Sequence, residues 1–450
     1  MLNVTWSRDT AAHLLRRAGF GATPAELDQY TALGLDAAVD KLINYETTSN
    51  AALDTILAQY EFDFTRFRDV QTYWILRLLY TARPLEEKMV FFWHDHFATS
   101  AAKVPNEYMK VQNELFRTFA LGNFKDMLIA VSKDPAMLDW LDNRLNRVGR
   151  PNENYGREVM ELFTLREGNY TETDVQEVSR CFTGWTIRND AYIFQPGSHD
   201  NGSKSFLGVN LPPNLGETDG IRVCETLAAH PACAQLIATK LFEFFAYPNP
   251  SQATIDTFAD VYTDSGYNIR EVMRAILTSE EFYSEKAIFG LIKSPTEFVI
   301  GALKSLSADI DFRRVGADIT VQGQTLLVPP DVNGWDGGLT WINTTTLLQR
   351  ANFGNALMTD RTDDNRSYYV NVDQLLSGQT FTKSKKLVDF FLELLGPIPL
   401  TKQQKKPLKD YLVKDDNGVK QPFVYDAALR DKKVRGLIHL IMALPEYHLN

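Results

Sequence analysis

The chain has 450 residues, a formal net charge of −10, 44% hydrophobic residues and 23% charged ones, the balance of a globular protein. The acidic surplus argues against nucleic acid as a partner, since binders of nucleic acid carry a basic face. No run approaches the ~18–20 apolar residues of a transmembrane segment.

Cys181, Cys224 and Cys233 are too few for a disulfide framework and show no zinc-ligand spacing. Buried free thiols are the expected state, with one Cys224–Cys233 bridge as the alternative. The first residues lack the basic and apolar regions of a signal peptide, so the chain is either cytoplasmic or starts after an export signal has been removed.

In chain order, Asp9 or Thr10 is the expected cap of a first helix carrying His13, Arg16 and Arg17, with Gly19 and Gly21 beyond its basic last turn. Thr23 and Pro24 start a second helix as cap and first helical residue. An apolar-periodic segment covers Thr72–Tyr80. Pro84 opens a further helix, with Glu86 and Glu87 in its first turn, that ends in Trp93-His94-Asp95-His96-Phe97. Residues two apart on an intact helix point about 200° from one another, so His94 and His96 share a site only if this end frays. Helical patterns continue through Asn106–Gly122 and Phe124–Trp140.

The stretch Asn152–Thr164 follows a basic loop, Arg147–Pro151, and reads as an amphipathic helix. Tyr155, Val159, Leu162 and Phe163 form its core stripe. Asn154, Arg157, Glu158 and Glu161 form a polar face whose two carboxylates, three residues apart, can share a proton, a cation or a substrate. The plain alternative is a solvated face with an Arg157–Glu161 pair. Thr171-x-x-Asp174 or Thr173-x-x-Gln176 marks the next helix start. The period then changes around Tyr192, Phe194 and Phe206, which reads as a β-hairpin whose Gly-rich tip holds His199 and Asp200, followed by Lys204.

Helices resume from Gly220: Arg222–Ala229, Ala232–Phe245, one opened by Ser251, Ile269–Thr278, one restarted at Ser294-Pro295, and Val434–Leu444. The tails AILTSEEFY and IMALPEYHL look like copies of one local motif, a helix whose exit packs an aromatic after an acid. The loop Pro329–Gly338, with Trp335 and nearby Trp341, is rich in turn formers and suited to line a site. Its tryptophans either stack on a sugar ring or plug the fold. Asn355–Asp373 reads as polar and irregular, and Lys402–Gln421 as a charged, exposed excursion.

These patterns predict a mainly α fold: one multi-helical domain over 1–450 with a small β-hairpin and long loop excursions. Its sub-regions are 1–190 (N-terminal helices with the polar helix), 191–215 (hairpin) and 216–450 (C-terminal helices).

The set His13-Leu-Leu-Arg16-Arg17-x-Gly19-Phe-Gly21, Phe92-Trp93-His94-x-His96-Phe97, Asn152-Glu-Asn154-Tyr155-x-Arg157-Glu158-x-x-Glu161, Phe182-Thr-Gly184-Trp185, His199-Asp200-x-Gly202-x-Lys204 and Pro329-Pro330-x-Val332-x-Gly334-Trp335 resembles the bacterial domain of unknown function 1800 family. The resemblance covers about His13 to Asn450. It implies a mainly exported, secreted or periplasmic protein, often encoded beside a sulfatase-like partner. Two positions depart from the family pattern: Phe163 stands where histidine is frequent and Arg166 where glycine is usual.

Two readings of the polar residues stand side by side. In the first, His94, His96, Glu158, Glu161, His199 and Asp200 meet in one cleft of a hydrolase. Glu158, Glu161, Asp200 and His199 serve as acid and base. Arg157, Asn154, Lys204 and Trp335 bind an extracellular polysaccharide or its sulfated or phosphorylated derivative. His94, His96 and Glu158 are the candidate ligands of a divalent metal. In the second, the same residues form a buried polar network that locks the helices of a binding or assembly protein. Metal-dependent oxidation chemistry is a third class. No nucleophile elbow, P-loop or zincin motif is present.

Overall fold

Helix starts follow side-chain caps. Thr23 Oγ1 accepts from the Glu26 N–H, the Glu26 carboxylate accepts from the Thr23 N–H, and Pro24 is the first residue of the helix Pro24–Leu33. The same reciprocal box opens Glu172–Cys181 at Thr171 and Pro295–Ser305 at Ser294. The first helix starts earlier than expected: Ser7, not Asp9 or Thr10, caps Arg8–Arg17, because Thr10 closes the box from the third helical position. The single helix expected over 124–140 is two, Phe124–Ser132 and Pro135–Trp140. Asp134 caps the second by accepting from the Met137 N–H, and Pro135 has no N–H to continue the first.

The computed structural model describes residues 4–359, 368–415 and 417–450. Among the described residues, twenty-two α-helices stand against three two-stranded sheets, so the fold is mainly α. One continuous apolar cluster runs from Ala11 to Tyr447. Cys181, Cys224 and Cys233 are all buried and free.

Within this core lies the helix Pro84–His96, which packs on Asn106–Thr118, Phe67–Tyr80 and Leu35–Ile43. Twelve of its thirteen residues are buried, and Asp95 alone is not. Burying its charges demands partners. Glu87 is clamped between Arg77 and Arg117 at 2.8 and 2.7 Å, and Lys88 pairs with Glu297. The His13-Leu-Leu-Arg16-Arg17 segment is likewise a clamp. Arg17 donates to the carbonyls of Phe245 and Ala246 at the exit of Pro231–Phe245, where carbonyls lack helical partners. His13 Nε2 lies 2.8 Å from the Phe282 carbonyl.

Three segments differ from their sequence reading. The expected hairpin is two. Trp185–Arg188 pairs with Ala191–Phe194 through Asn189 and Asp190, both at positive φ, and Lys204–Phe206 pairs with Val209–Leu211. His199 and Asp200 lie in the connector between them, because Asn189-Asp190 and Leu207-Gly208, all at positive φ, close each hairpin with a two-residue turn of its own. The 402–421 segment is no simple excursion: Lys405–Val413 is a helix that buries Leu408 and Leu412 and packs on Ser384–Leu394. The 355–373 stretch starts inside the helix Thr344–Thr359, residues 360–367 lie outside the described residues, and Tyr368–Tyr369 then pairs with Asp309–Ile310. Both tails of the proposed local repeat do turn into a short 3₁₀ exit, Glu281–Tyr283 and Pro445–His448.

Candidate functional site

The polar helix forms as Asn154–Met160 and continues into a π-helical turn, Glu161–Leu165, a distortion that often marks functional sites. Tyr155, Val159 and Phe163 are buried, as the core stripe requires. The polar face is engaged differently from its expected Arg157–Glu161 pair. Arg157 holds Glu172 through two bonds of 2.8 and 2.7 Å, and the Tyr170 hydroxyl donates to Glu161. Burial, and then the neighbouring Glu161 carboxylate, raise the Glu158 carboxyl above its ordinary range, with Arg157 opposing. Asn154 is exposed at the helix start, its N–H donating to Asn152 Oδ1.

The hairpin residues form a separate cluster. His199 and Lys204 are buried, with His199 Nε2 3.0 Å and Lys204 Nζ 2.6 Å from Asp219 Oδ2. His199 Nδ1 lies 2.8 Å from the Thr183 carbonyl, so both ring nitrogens face acceptors. Asp200 turns the other way, accepting from Arg180 at 2.8 and 3.2 Å and from the Gly202 N–H. The Arg180 bonds hold its carboxyl down at about 2. His199 and Lys204 thus converge on one carboxylate, Asp219.

His94 and His96 lie on an intact helix and diverge, as the angular argument requires. His94 sits edge-on to Trp74 at 5.2 Å and against Trp335 at 5.6 Å. His96 packs among Phe92, Trp93, Phe97 and Phe163. Burial depresses both imidazoles, His94 to about 3. The proposed ligand set His94, His96 and Glu158 therefore does not converge. Among the described residues no three His, Cys, Asp or Glu side chains gather as a metal-binding group.

The half-buried end of the central helix opens instead on a cleft of about 580 Å³. Asp95, His96, Lys240, Asp336, Trp335 and Trp341 are among its walls. The loop after Pro330 closes over Asp95: the Trp335 N–H donates to Asp95 Oδ1 at 2.8 Å. Only glycine permits that approach. Gly334 has φ +84°, and a Cβ there would sit 2.3 Å from Asp95 Oδ1 and 2.6 Å from the Asp95 carbonyl oxygen. The Gly334-Trp335 pair is thus the device that docks the tryptophan beside the carboxylate.

Burial pushes the Asp95 carboxyl up to about 6, the Trp335 N–H and Lys240 opposing and Asp336 adding to the rise. Burial also lowers the Lys240 ammonium, with Asp95 opposing and Arg166 reinforcing the effect. Among the described residues Lys240 has no hydrogen-bond or ion-pair partner. His96 is 3% exposed, and its polar surroundings reduce to the Phe163 backbone and the more distant Lys240 charge. A carboxyl at about 6, an ammonium without a hydrogen-bond partner among the described residues and two indole side chains line this hollow. Such a set can donate a proton, hold an anion and stack a ring.

Of the sequence-predicted residues, His96 and Trp335 line this cleft, and His94 supports Trp335 from behind. Arg157, Glu158, Glu161, Asn154, His199, Asp200 and Lys204 are not among its lining residues. Sequence reasoning missed Asp95, Lys240 and Asp336. Asp95 carried a signal, being the acid between the two histidines. Lys240 was the lone cation of Pro231–Phe245.

The two departures also have a place. Phe163 is fully buried with its ring 6.0 Å from that of His96. Arg166 has φ +67° and ψ 159°, a region that essentially only glycine occupies without strain.

A family model described as Protein of unknown function (DUF1800) matches residues 13–449. No curated protein and no solved structure matches the chain.

Proposed function

The chain belongs to the DUF1800 family, and on that premise we propose that its cleft hydrolyses glycosidic bonds in an anionic polysaccharide. The observation that carries this reading is Asp95: the one unburied residue of the central helix, with a carboxyl at about 6, facing an unpaired Lys240. An acid in that range keeps a proton near neutrality and can pass it to a leaving oxygen. Asp336, exposed on the loop, is the second carboxylate, activating water or attacking the sugar carbon. Lys240 takes a sulfate, phosphate or carboxylate substituent, a charge it meets with no hydrogen-bond or ion-pair partner to displace among the described residues and with Asp95 as its nearest opposing charge. Trp335 and Trp341 offer ring faces to sugars. An exported setting beside a sulfatase-like partner, as the resemblance implies, suits such a substrate.

The second reading, a polar network that locks the fold, is favoured for His199, Lys204 and Asp219 alone, whose side chains are at most 1% exposed. Release of reducing ends from neutral and acidic polysaccharides tests the proposal. We expect turnover on an acidic polymer that falls as pH rises above about 6, is abolished by Asp95→Asn with the fold intact, and shows a raised KM in Lys240→Met. Turnover indifferent to Asp95→Asn, or no reducing ends from any polymer, refutes it.

A further inference from the structure

A second hollow shares one wall residue, Glu297, with the cleft. Five buried cations gather there: Arg16, Arg17, Lys88, Lys293 and Arg350 are 6%, 2%, 1%, 7% and 1% exposed. Glu297 is the carboxylate that offsets Arg17, Lys88, Lys293 and Arg350. Its acceptor capacity is already committed. Oε1 takes Lys88 and the Asn450 side-chain amide, and Oε2 takes the Ser294 N–H at 2.8 Å. Asp9 acts on Arg16 from a distance, and Glu393 at the rim is half exposed and held by Arg8.

One carboxylate among five cations is a costly balance in a dry interior, and burial lowers the Lys293 ammonium to about 7, with Arg16 adding to the drop. Arg17 and Arg350 are spent on backbone carbonyls, which orients them without neutralising them. Arg16 and Lys293 face a pocket of about 30 Å³. Arg16 uses one nitrogen on the Gly396 carbonyl at 3.1 Å, while its Nε is buried without a partner. Lys293 gives one of its three protons to the Tyr447 carbonyl at 2.8 Å. The pocket holds about two water-sized bodies, too little for a phosphate or sulfate.

We propose that this pocket is a binding site for one monovalent anion of halide size, held between Arg16 and Lys293. The anion supplies the charge Glu297 cannot, and stabilises the junction of the first helix with Pro295–Ser305 and the 393–397 turn. This site is independent of the catalytic reading, because its ligands do not enter the cleft chemistry.

Thermal unfolding of the intact protein at constant ionic strength, exchanging gluconate for chloride, bromide or formate, tests it. The expected result is a saturable rise in Tm with chloride and bromide, about 2–3 °C at a hundredfold excess over Kd. Lys293→Met should lose most of that rise. Should Lys293→Met not fold, crystals of the unaltered protein in bromide should show an anomalous peak between Arg16 and Lys293. Equal Tm in gluconate, chloride and bromide overturns the proposal. So does a rise confined to formate, or the lack of a bromide peak.

Discussion

Asp95→Asn separates the electrostatics of the cleft from its shape. The amide keeps an oxygen for the Trp335 N–H and removes only the charge. In the folded chain the Asp95 carboxyl lies at about 6 against an ordinary 3.8. Between those values the folded state holds the proton more tightly than the unfolded one, so stability falls as pH rises through this window. The full displacement corresponds to about 3 kcal/mol, and solvent in the cleft trims it to roughly 1–3 kcal/mol. Below pH 4 the variant should therefore match the parent to within a constant offset. Above pH 7 it should be the more stable by that amount. Unfolding entropy of about 2.1 cal/mol/K per residue makes this about 1–3 °C in Tm for a chain of this length. Calorimetry of both proteins from pH 4 to 8 reads the difference directly. A difference that stays flat with pH, or that opens with the opposite sign, would mean that Asp95 is not a strained carboxylate and would remove the acid from the mechanism.

Asp219→Asn should behave in the contrary way: it leaves the Lys204 ammonium buried beside a neutral amide, at a cost of about 3–5 kcal/mol. Chemical denaturation should show this loss, while kcat of the fraction that remains folded stays unchanged. Arg166→Gly relieves a backbone strained at φ +67°; the gain of ~1–3 kcal/mol, less ~0.4–1 kcal/mol for the freer unfolded chain, should raise Tm by up to about 3 °C. It also removes a cation that lowers Lys240, so the Lys240 ammonium should titrate at higher pH, measurable by side-chain NMR.

The sequence by itself determined the helical class and several of the capped helix starts, because caps act over three or four residues. Thr23 with Glu26, Thr171 with Asp174 and Ser294 with Glu297 need nothing outside their own segment. It also set the helical angle that parts His94 from His96 on an intact helix, but only the packed chain decided that the helix stays intact to His96. What a residue faces is not local. Glu158 and Glu161 had the spacing of a working pair, yet Arg157 and Tyr170 engage that face through Glu172 and Glu161. His199 and Lys204 stood in a turn-rich segment, and only a helix arriving with Asp219 made them interior. Asp95 was an acid between two more conspicuous histidines. It became the half-buried end of a buried helix when a loop 240 residues away laid Gly334 and Trp335 against it. Burial and the approach of distant charge set a carboxyl's proton affinity, and both are properties of the packed chain.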